Sequence, residues 1–273
     1  MKKIRVRFSV VPSGSLSAGR ARIALYNWLF ARKEGGDLIL RFEDSGLPLA
    51  SEKGEESLLD DLRWLKIEWA EGPDIGGAFG PYRRSLRLKL YRRYAKELVR
   101  QGAAYPCYCL PAEAEKRREA SRRRGRGGAY DNFCRDLTPE QRTALEKEGR
   151  RPSIRLRVPH SSGPIIDLIR GTTPALAGMV DFVILRPDGE PVPEFAGVLD
   201  DALMEITHVL RGEEWIPSAP LHKLVFDAFG WEAPAFVHLP VILDPSGKGK
   251  MSKRKSVVEG KEFSPFVHDY MQS

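Results

Sequence analysis

Apolar positions along the first eighty residues alternate between two periods. Arg5-Val6-Arg7-Phe8, following Ile4, alternates polar and apolar and predicts a strand over residues 4–8. Ala21, Ala24, Leu25, Trp28 and Leu29 then recur at helical spacing. Leu38-Ile39-Leu40 follows the Gly35-Gly36 break as a short apolar strand, and Leu58, Leu59, Leu62 and Leu65 mark a second amphipathic helix. Strand, helix, strand, helix predicts a parallel sheet covered on both faces, and right-handed crossovers make a doubly wound α/β fold the expected class. A third helix presents Leu90, Tyr91, Tyr94, Ala95 and Leu98 on one face. The pattern then breaks over residues 105–150. Ile154-Arg155-Leu156-Arg157-Val158 alternates and reads as a half-exposed strand. Residues 180–185 read as another strand, with a turn at Asp188-Gly189. Residues 221–229 read as helix and residues 238–243 as extended chain. A parallel-sheet domain interrupted by an inserted domain accounts for this order.

With 273 residues the chain has room for one large domain or two modest ones. No apolar run approaches the roughly 18 residues of a membrane span, and the opening Met1-Lys2-Lys3 leads into the first strand, not into a signal peptide. A cytoplasmic protein without membrane contact is expected. The formal charge of +7 suits a polyanionic partner. The only cysteines are Cys107, Cys109 and Cys134. Their odd number argues against a disulfide framework, and their clustering points to a metal.

Lys250-Met251-Ser252-Lys253-Arg254, at the end of the glycine- and lysine-rich stretch from Asp244, is the most specific segment. Clustered ammonium groups on such a loop suit a triphosphate, neutralising charge as pyrophosphate departs. Its wording resembles the signature loop of class I aminoacyl-tRNA synthetases. From residue 5 to about 254 the chain resembles the glutamyl-tRNA synthetases in particular. The resemblance is carried by Arg41-Phe42-Glu43-Asp44, Glu71-Gly72-Pro73-Asp74, Gly80-Pro81-Tyr82-Arg83, Asp200-Asp201-Ala202-Leu203-Met204, Ile206-Thr207-His208-Val209 and Arg211-Gly212-Glu213-Glu214-Trp215.

That resemblance implies ligation of glutamate to tRNA by way of a glutamyl-adenylate, with ATP and Mg2+, by a chain acting as a monomer. It implies a Rossmann-like first half over residues 1–84, an inserted α+β acceptor-binding domain over 85–192, a Rossmann-like second half over 193–243 and a signature-loop segment over 244–273. Arg7, Ser9, Glu43 and Arg211 match amino-acid-binding positions, Glu43 holding the ammonium group. Gly19, Glu214, Trp215, Lys250, Met251, Ser252 and Lys253 match ATP-binding positions. Lys250, Lys253 and Ser17 stand at catalytic positions. Zinc at a structural site is implied for Cys107, Cys109 and Cys134, with Tyr130 or Asp136 as fourth ligand.

The chain departs from the family pattern in several places. Ser17 stands where the first signature motif has histidine. Arg20 replaces a small glycine, which either adds a cation near ATP or blocks its base. Val11 replaces a serine, and Pro193 stands where a tyrosine lines the glutamate pocket. Glu194 is expected to bring a repelling carboxylate to that pocket. These changes leave open a weakened or inactive paralogue that binds tRNA, and the stop at Ser273, before the family's helical anticodon-binding domains, leaves open an enzyme like the glutamyl-queuosine tRNA synthetases. Arg117, Arg118, Arg122, Arg123, Arg124 and Arg126 could track acceptor phosphates.

Overall fold

The computed structural model describes residues 2–45, 50–125, 129–159, 162–173, 179–243, 257–258, 261–262 and 266–267. The first strand, β1 (Arg5–Val10), pairs in parallel with β2 (Asp37–Phe42) across the crossover helix α1 (Ala18–Lys33). Gly36 permits the turn into β2, because a Cβ there would fall on the Ile4 carbonyl oxygen and lie 2.8 Å from the Ile4 Cβ. Val6, Phe8, Val10, Leu38, Leu40 and Phe42 are buried in one core with Leu58 and Leu62 of α2 (Glu52–Trp64). Burial of each large side chain contributes about 1.5–3 kcal/mol.

After α2 the chain returns along the outer edge of β2, where Leu40 N–H donates to the Glu71 carbonyl and Phe42 N–H to that of Tyr82, both at 2.9 Å. It then runs through α3 (Leu88–Arg100) into a second, antiparallel sheet. That sheet has β3 (Ala104–Cys107) paired to β4 (Ser153–Leu156), with α4 (Pro111–Arg123) and α5 (Pro139–Lys147) in the connection. A hairpin of β5 (Ile165–Asp167) and β6 (Gly171–Thr173) follows. Then β7 (Phe182–Leu185) completes the antiparallel sheet beside β4. Gly189, at φ 84°, occupies the turn after β7, a left-handed position where glycine carries no Cβ penalty.

The last third returns to the parallel sheet. Helix α6 (Pro193–Leu203) leads to β8 (His208–Gly212), and α7 (Ala219–Ala228) carries the crossover to β9 (Ala235–Leu239). β8 and β9 pair in parallel, and the β5–β6 hairpin joins the sheet on the far side of β9. Thr207 receives the Arg5 N–H on its hydroxyl and gives its own N–H to the Arg5 carbonyl, both at 2.9 Å. Arg7 lies beside Leu210, so β1 and β8 run the same way. The two strands then diverge. The Leu210 carbonyl is met by Asn27 Nδ2 at 3.2 Å and Arg7 Nη1 at 3.4 Å, side-chain donors replacing a sheet bond.

The architecture is the Rossmann-like α/β class expected, and several local readings are corrected. The core face of α1 is Ala21, Ala24, Asn27 and Ala31, while Leu25 and Leu29 are 39% and 47% exposed. Small residues let this helix approach the sheet, and the buried amide of Asn27 bonds the orphaned strand carbonyl. The strand expected at 154–158 ends at Leu156 and is mostly buried, with Arg155 inside. The extended chain expected at 238–243 starts at Ala235 and stops at Leu239.

Candidate active site and metal centre

β1, β2, β8 and β9 all end at one edge of the sheet, and beyond it lies a cavity of about 840 Å³. Crevices of this kind, outside the carboxyl ends of parallel strands, are where such folds take ligands. Arg7, Ser9, Ser17, Gly19, Glu43, Arg211, Glu214 and Trp215 all line this one cavity. Lys250, Met251, Ser252 and Lys253 lie outside the described residues.

Each lining group is set by a local device. The Leu16 N–H donates to Asp61 of α2 at 2.5 Å, fixing the entry to α1. Ser17 is then the N-cap, its hydroxyl accepting from the Arg20 N–H at 3.4 Å, so serine has a capping use here. The first turn of α1 carries no acidic residue and opens on the cavity. Arg20 also lines the cavity, its guanidinium 3.5 Å from the Val11 carbonyl and the Ser13 hydroxyl. Burial holds Arg20 below the ordinary arginine range against the opposing pull of Glu43. Glu43, just past β2, faces the buried Arg84 at 3.1 Å. From α6, Pro193 and Gly197 form one wall, and a Cβ at Gly197 would meet nothing within 4 Å. Glu194 is not among the lining residues, so the carboxylate expected in that pocket is not part of the cavity wall.

Beneath the cavity lies a buried ionic layer. Asp201 accepts from Arg41 Nη1 at 2.9 Å and Arg7 Nε at 3.0 Å. Asp200 accepts from Arg87 Nε at 2.7 Å and from the Tyr91 hydroxyl at 2.8 and 2.9 Å. Burial alone would pull Arg41 down, but Asp201 and Asp200 hold it above its usual value. Burial pushes Asp200 up, whereas at Asp201 the guanidiniums of Arg7 and Arg41 outweigh burial and hold it down. Such pairs tolerate no missing partner, because the survivor is left charged in a dry interior.

Arg211, at the cavity end of β8, is held differently. Its Nε donates to His238 Nε2 and its Nη1 to His222 Nδ1, both at 3.0 Å. His238 in turn donates from Nδ1 to Asp167 at 2.6 Å. Both imidazoles accept from a cation and are therefore neutral at the bonded nitrogen. Burial, reinforced by Arg211, pulls His222 to about 3. Burial and Arg211 also lower His238, against the opposing pull of Asp167. Burial and then Arg7 pull Arg211 itself down.

The residues that sequence reasoning assigned no role are thus Arg41, Asp200, Asp201, Asp167, His222 and His238. A signal was available for some of them. Arg41 interrupts the apolar run Leu38-Ile39-Leu40, and Asp200-Asp201 ends an otherwise apolar stretch of α6. A charge at a core position demands a partner.

Far from the cavity, Cys107 at the end of β3 and Cys109 meet Cys134, their sulfurs within 4.8 Å of one another. The Tyr130 hydroxyl lies 3.4 Å from Cys107 Sγ and 3.5 Å from Cys109 Sγ, and it accepts the Cys134 N–H at 3.1 Å. Hydrogen bonds from the Cys109 and Cys134 thiols pull Cys107 well down. Three sulfurs this close together could hold a metal ion, with the Tyr130 hydroxyl as the neighbouring oxygen. Asp136 is 89% exposed and lies toward Arg157 at 3.9 Å, so the geometry brings Tyr130, not Asp136, to the cluster.

A cavity at the carboxyl edge of a parallel sheet, lined by both arginines and carboxylates, defines a Rossmann-like ligand-binding domain. Comparison with known proteins narrows this. Residues 3–264 match the family of tRNA synthetases class I (E and Q), catalytic domain, and the chain belongs to it. The glutamate–tRNA ligase of Symbiobacterium thermophilum is 47% identical over 92% of this chain and 52% of its own length. That of Bacillus subtilis is 45% identical over 99% of this chain and 55% of its own. A glutamate tRNA ligase from Elizabethkingia meningosepticum, solved in complex with its amino acid, superposes with a TM-score of 0.85. It is 39% identical, over 93% of this chain and 52% of that one. The chain spans about half the length of the curated relatives it matches. A methionyl-tRNA synthetase of Mycobacterium tuberculosis shares the fold at a TM-score of 0.51 and 11% identity. Among the described residues, no helix is long and apolar enough to cross a membrane.

Proposed function

We propose that this chain ligates glutamate to tRNA through a glutamyl-adenylate, using ATP, as a monomer in the cytoplasm. The observation that carries the reading is the convergence of Arg7, Glu43, Arg211, Glu214 and Trp215 on one cavity at the sheet's carboxyl edge. Arg7 and Arg211 take the two carboxylates of glutamate, since a guanidinium offers paired donors to a carboxylate. Glu43 takes the ammonium group. Glu214 and Trp215 hold the adenosine, and Gly19, with open space at its Cβ, lets the nucleotide approach α1. A glutamate carboxylate oxygen attacks the α-phosphorus and pyrophosphate leaves. The terminal ribose hydroxyl of tRNA then attacks the glutamyl carbonyl carbon and AMP leaves. Positioning and charge stabilisation supply the rate, with no covalent enzyme intermediate. Lys250 and Lys253 neutralise the departing pyrophosphate, and Mg2+ accompanies ATP as a further positive charge on its phosphates.

In this reading, residues 1–84 and 193–243 form the catalytic unit, 85–192 the acceptor-binding insert and 244–273 the signature-loop segment. Cys107, Cys109, Tyr130 and Cys134 hold a structural zinc that pins the loops around β3, where the local core is small. The arginines of α4 meet acceptor phosphates, although Arg117 already pairs with Asp131, and Arg118 and Arg122 with Glu115.

Ser17 favours a second reading. Its hydroxyl caps α1 and brings no imidazole to the α-phosphate, as suits a weakened or inactive paralogue that binds tRNA, or a glutamyl-queuosine tRNA synthetase-like enzyme. ATP–pyrophosphate exchange with a panel of amino acids, with tRNA present, separates the active readings from the inactive one, and the position of the glutamyl group on the tRNA product separates the two active ones. Exchange that depends on glutamate is expected. Retention of tRNA with no exchange for any amino acid would leave only the paralogue.

A further inference from the structure

Arg211 differs from Arg7 in being held by uncharged acceptors: the imidazoles of His238 and His222 and, at 3.4 Å, the Trp215 carbonyl. Arg7 shares Asp201 with Arg41 at 3.0 and 2.9 Å, so its charge is met by a carboxylate. Among the described residues, Arg211 makes no carboxylate pair within salt-bridge distance. Two carboxylates act on it without contact: Asp201, already bonded to Arg7 and Arg41, and Asp167, reached through His238. Holding Arg211 this way has a cost. His222 Nε2 is buried with no hydrogen-bond partner, because Nδ1 is used to accept from Arg211. A carboxylate at position 222 would satisfy the guanidinium more fully and leave no such orphan, but it would also neutralise it. A cation buried beside uncharged acceptors keeps its orientation and its unmet charge together, which is what recognition of an incoming anion needs.

We infer that His222 and His238 are positioning residues that fix Arg211 as a cation with no carboxylate in contact, ready for a carboxylate of the amino-acid substrate. The inference rests on the proposed activation of an amino acid at this cleft and assigns part of the affinity for its carboxylate to two residues that act through Arg211, of which His222 also lines the cavity. His238 sets the plane of the guanidinium through Nε, with Asp167 holding the imidazole in the Nδ1–H tautomer. His222 anchors the Nη1 edge and adds no charge.

The discriminating set is His222→Asn, His222→Asp and His222→Leu in the full chain. Asparagine keeps an uncharged acceptor, aspartate keeps an acceptor but adds charge, and leucine removes the acceptor. Calorimetry reads the binding of glutamate and of ATP, while glutamate-dependent ATP–pyrophosphate exchange with tRNA runs alongside on the same samples. Glutamate affinity is expected to fall roughly ten- to hundredfold in His222→Asp and His222→Leu, the size expected for a charge-assisted contact. His222→Asn should recover most of it, and ATP affinity should stay within about twofold throughout. A merely structural role would weaken both ligands in step with thermal stability, and His222→Asp, which can pair with Arg211, would then resemble wild type. Equal glutamate affinity in wild type and His222→Asp, or no glutamate binding to wild type, would overturn the inference. Wild-type glutamate binding without exchange would instead defeat the proposed ligase activity and leave the positioning role standing.

Discussion

Acid should unfold this protein through His222 in a way that one substitution removes. The side chain sits on α7 against Arg211, 6% exposed, with Nδ1 accepting from the guanidinium. Burial, and after it Arg211, hold His222 at about 3 in the folded chain, whereas a free histidine titrates near 6.5. Its folded value is depressed, so the unfolded chain binds the extra proton first. The stability contributed by the neutral imidazole is therefore complete above about pH 6.5 and is lost progressively as pH falls toward 3. Within that window the loss is about 1.4 kcal/mol per pH unit, or about 2 kcal/mol by pH 5. For a chain of this size that corresponds to a fall in Tm of about 4–8 °C. Urea unfolding of wild type and His222→Asn at intervals from pH 8 to pH 5 measures it. The variant has no group titrating there, so wild type should lose about 2 kcal/mol more than the variant over this range. Parallel stability–pH curves would show that His222 is not held neutral against Arg211, and the account of the Arg211 cradle would fall with it.

Asp201→Asn should destabilise the fold by about 3–5 kcal/mol in urea titrations, because Arg7 and Arg41 would lose the carboxylate they share in a dry interior; a loss under 1 kcal/mol would contradict this. Gly36→Ala should lower stability by about 1–3 kcal/mol, since the new methyl meets the Ile4 backbone, and an unchanged Tm would refute it. Gly197→Ala should have the opposite sign. With nothing near its Cβ, it gains about 0.5–1 kcal/mol of helix stability, while raising the KM for the amino acid several-fold by narrowing the cavity wall. Elemental analysis should find equimolar zinc, lost in Cys134→Ser together with thermal stability; a metal-free wild-type protein of undiminished Tm would end the zinc reading.

Much of the architecture could be read before any coordinates, and for a local reason. Helical and strand periods depend on neighbours a few residues away, so α2, α3 and α7 appear where the apolar spacing placed them. The ordered short motifs likewise marked Arg7, Glu43, Arg211, Glu214 and Trp215 as one constellation, and the fold brings them to one cavity. Readings failed where burial is decided by partners distant in sequence. The alternation of β1 gave no sign that Arg5 and Arg7 would be buried, which they are because Glu71 and Asp201 arrive to meet them. Leu25 and Leu29 looked like core, yet the diverging strands require the amide of Asn27 on that side of α1.

What the sequence determined by itself is the order of elements, the parallel α/β class, the family and the short-range geometry of turns and caps. All of these follow from spacing, side-chain shape and motif along a single chain. Only the tertiary structure decided how each charge is met: that Asp201 is divided between two arginines, that Glu194 is not part of the cavity wall, and that Arg211 is held by two imidazoles and a carbonyl and not by a carboxylate. Electrostatic energy depends on distance and on the exclusion of water, and both arise from segments up to some two hundred positions apart, as Arg7 and Asp201 are.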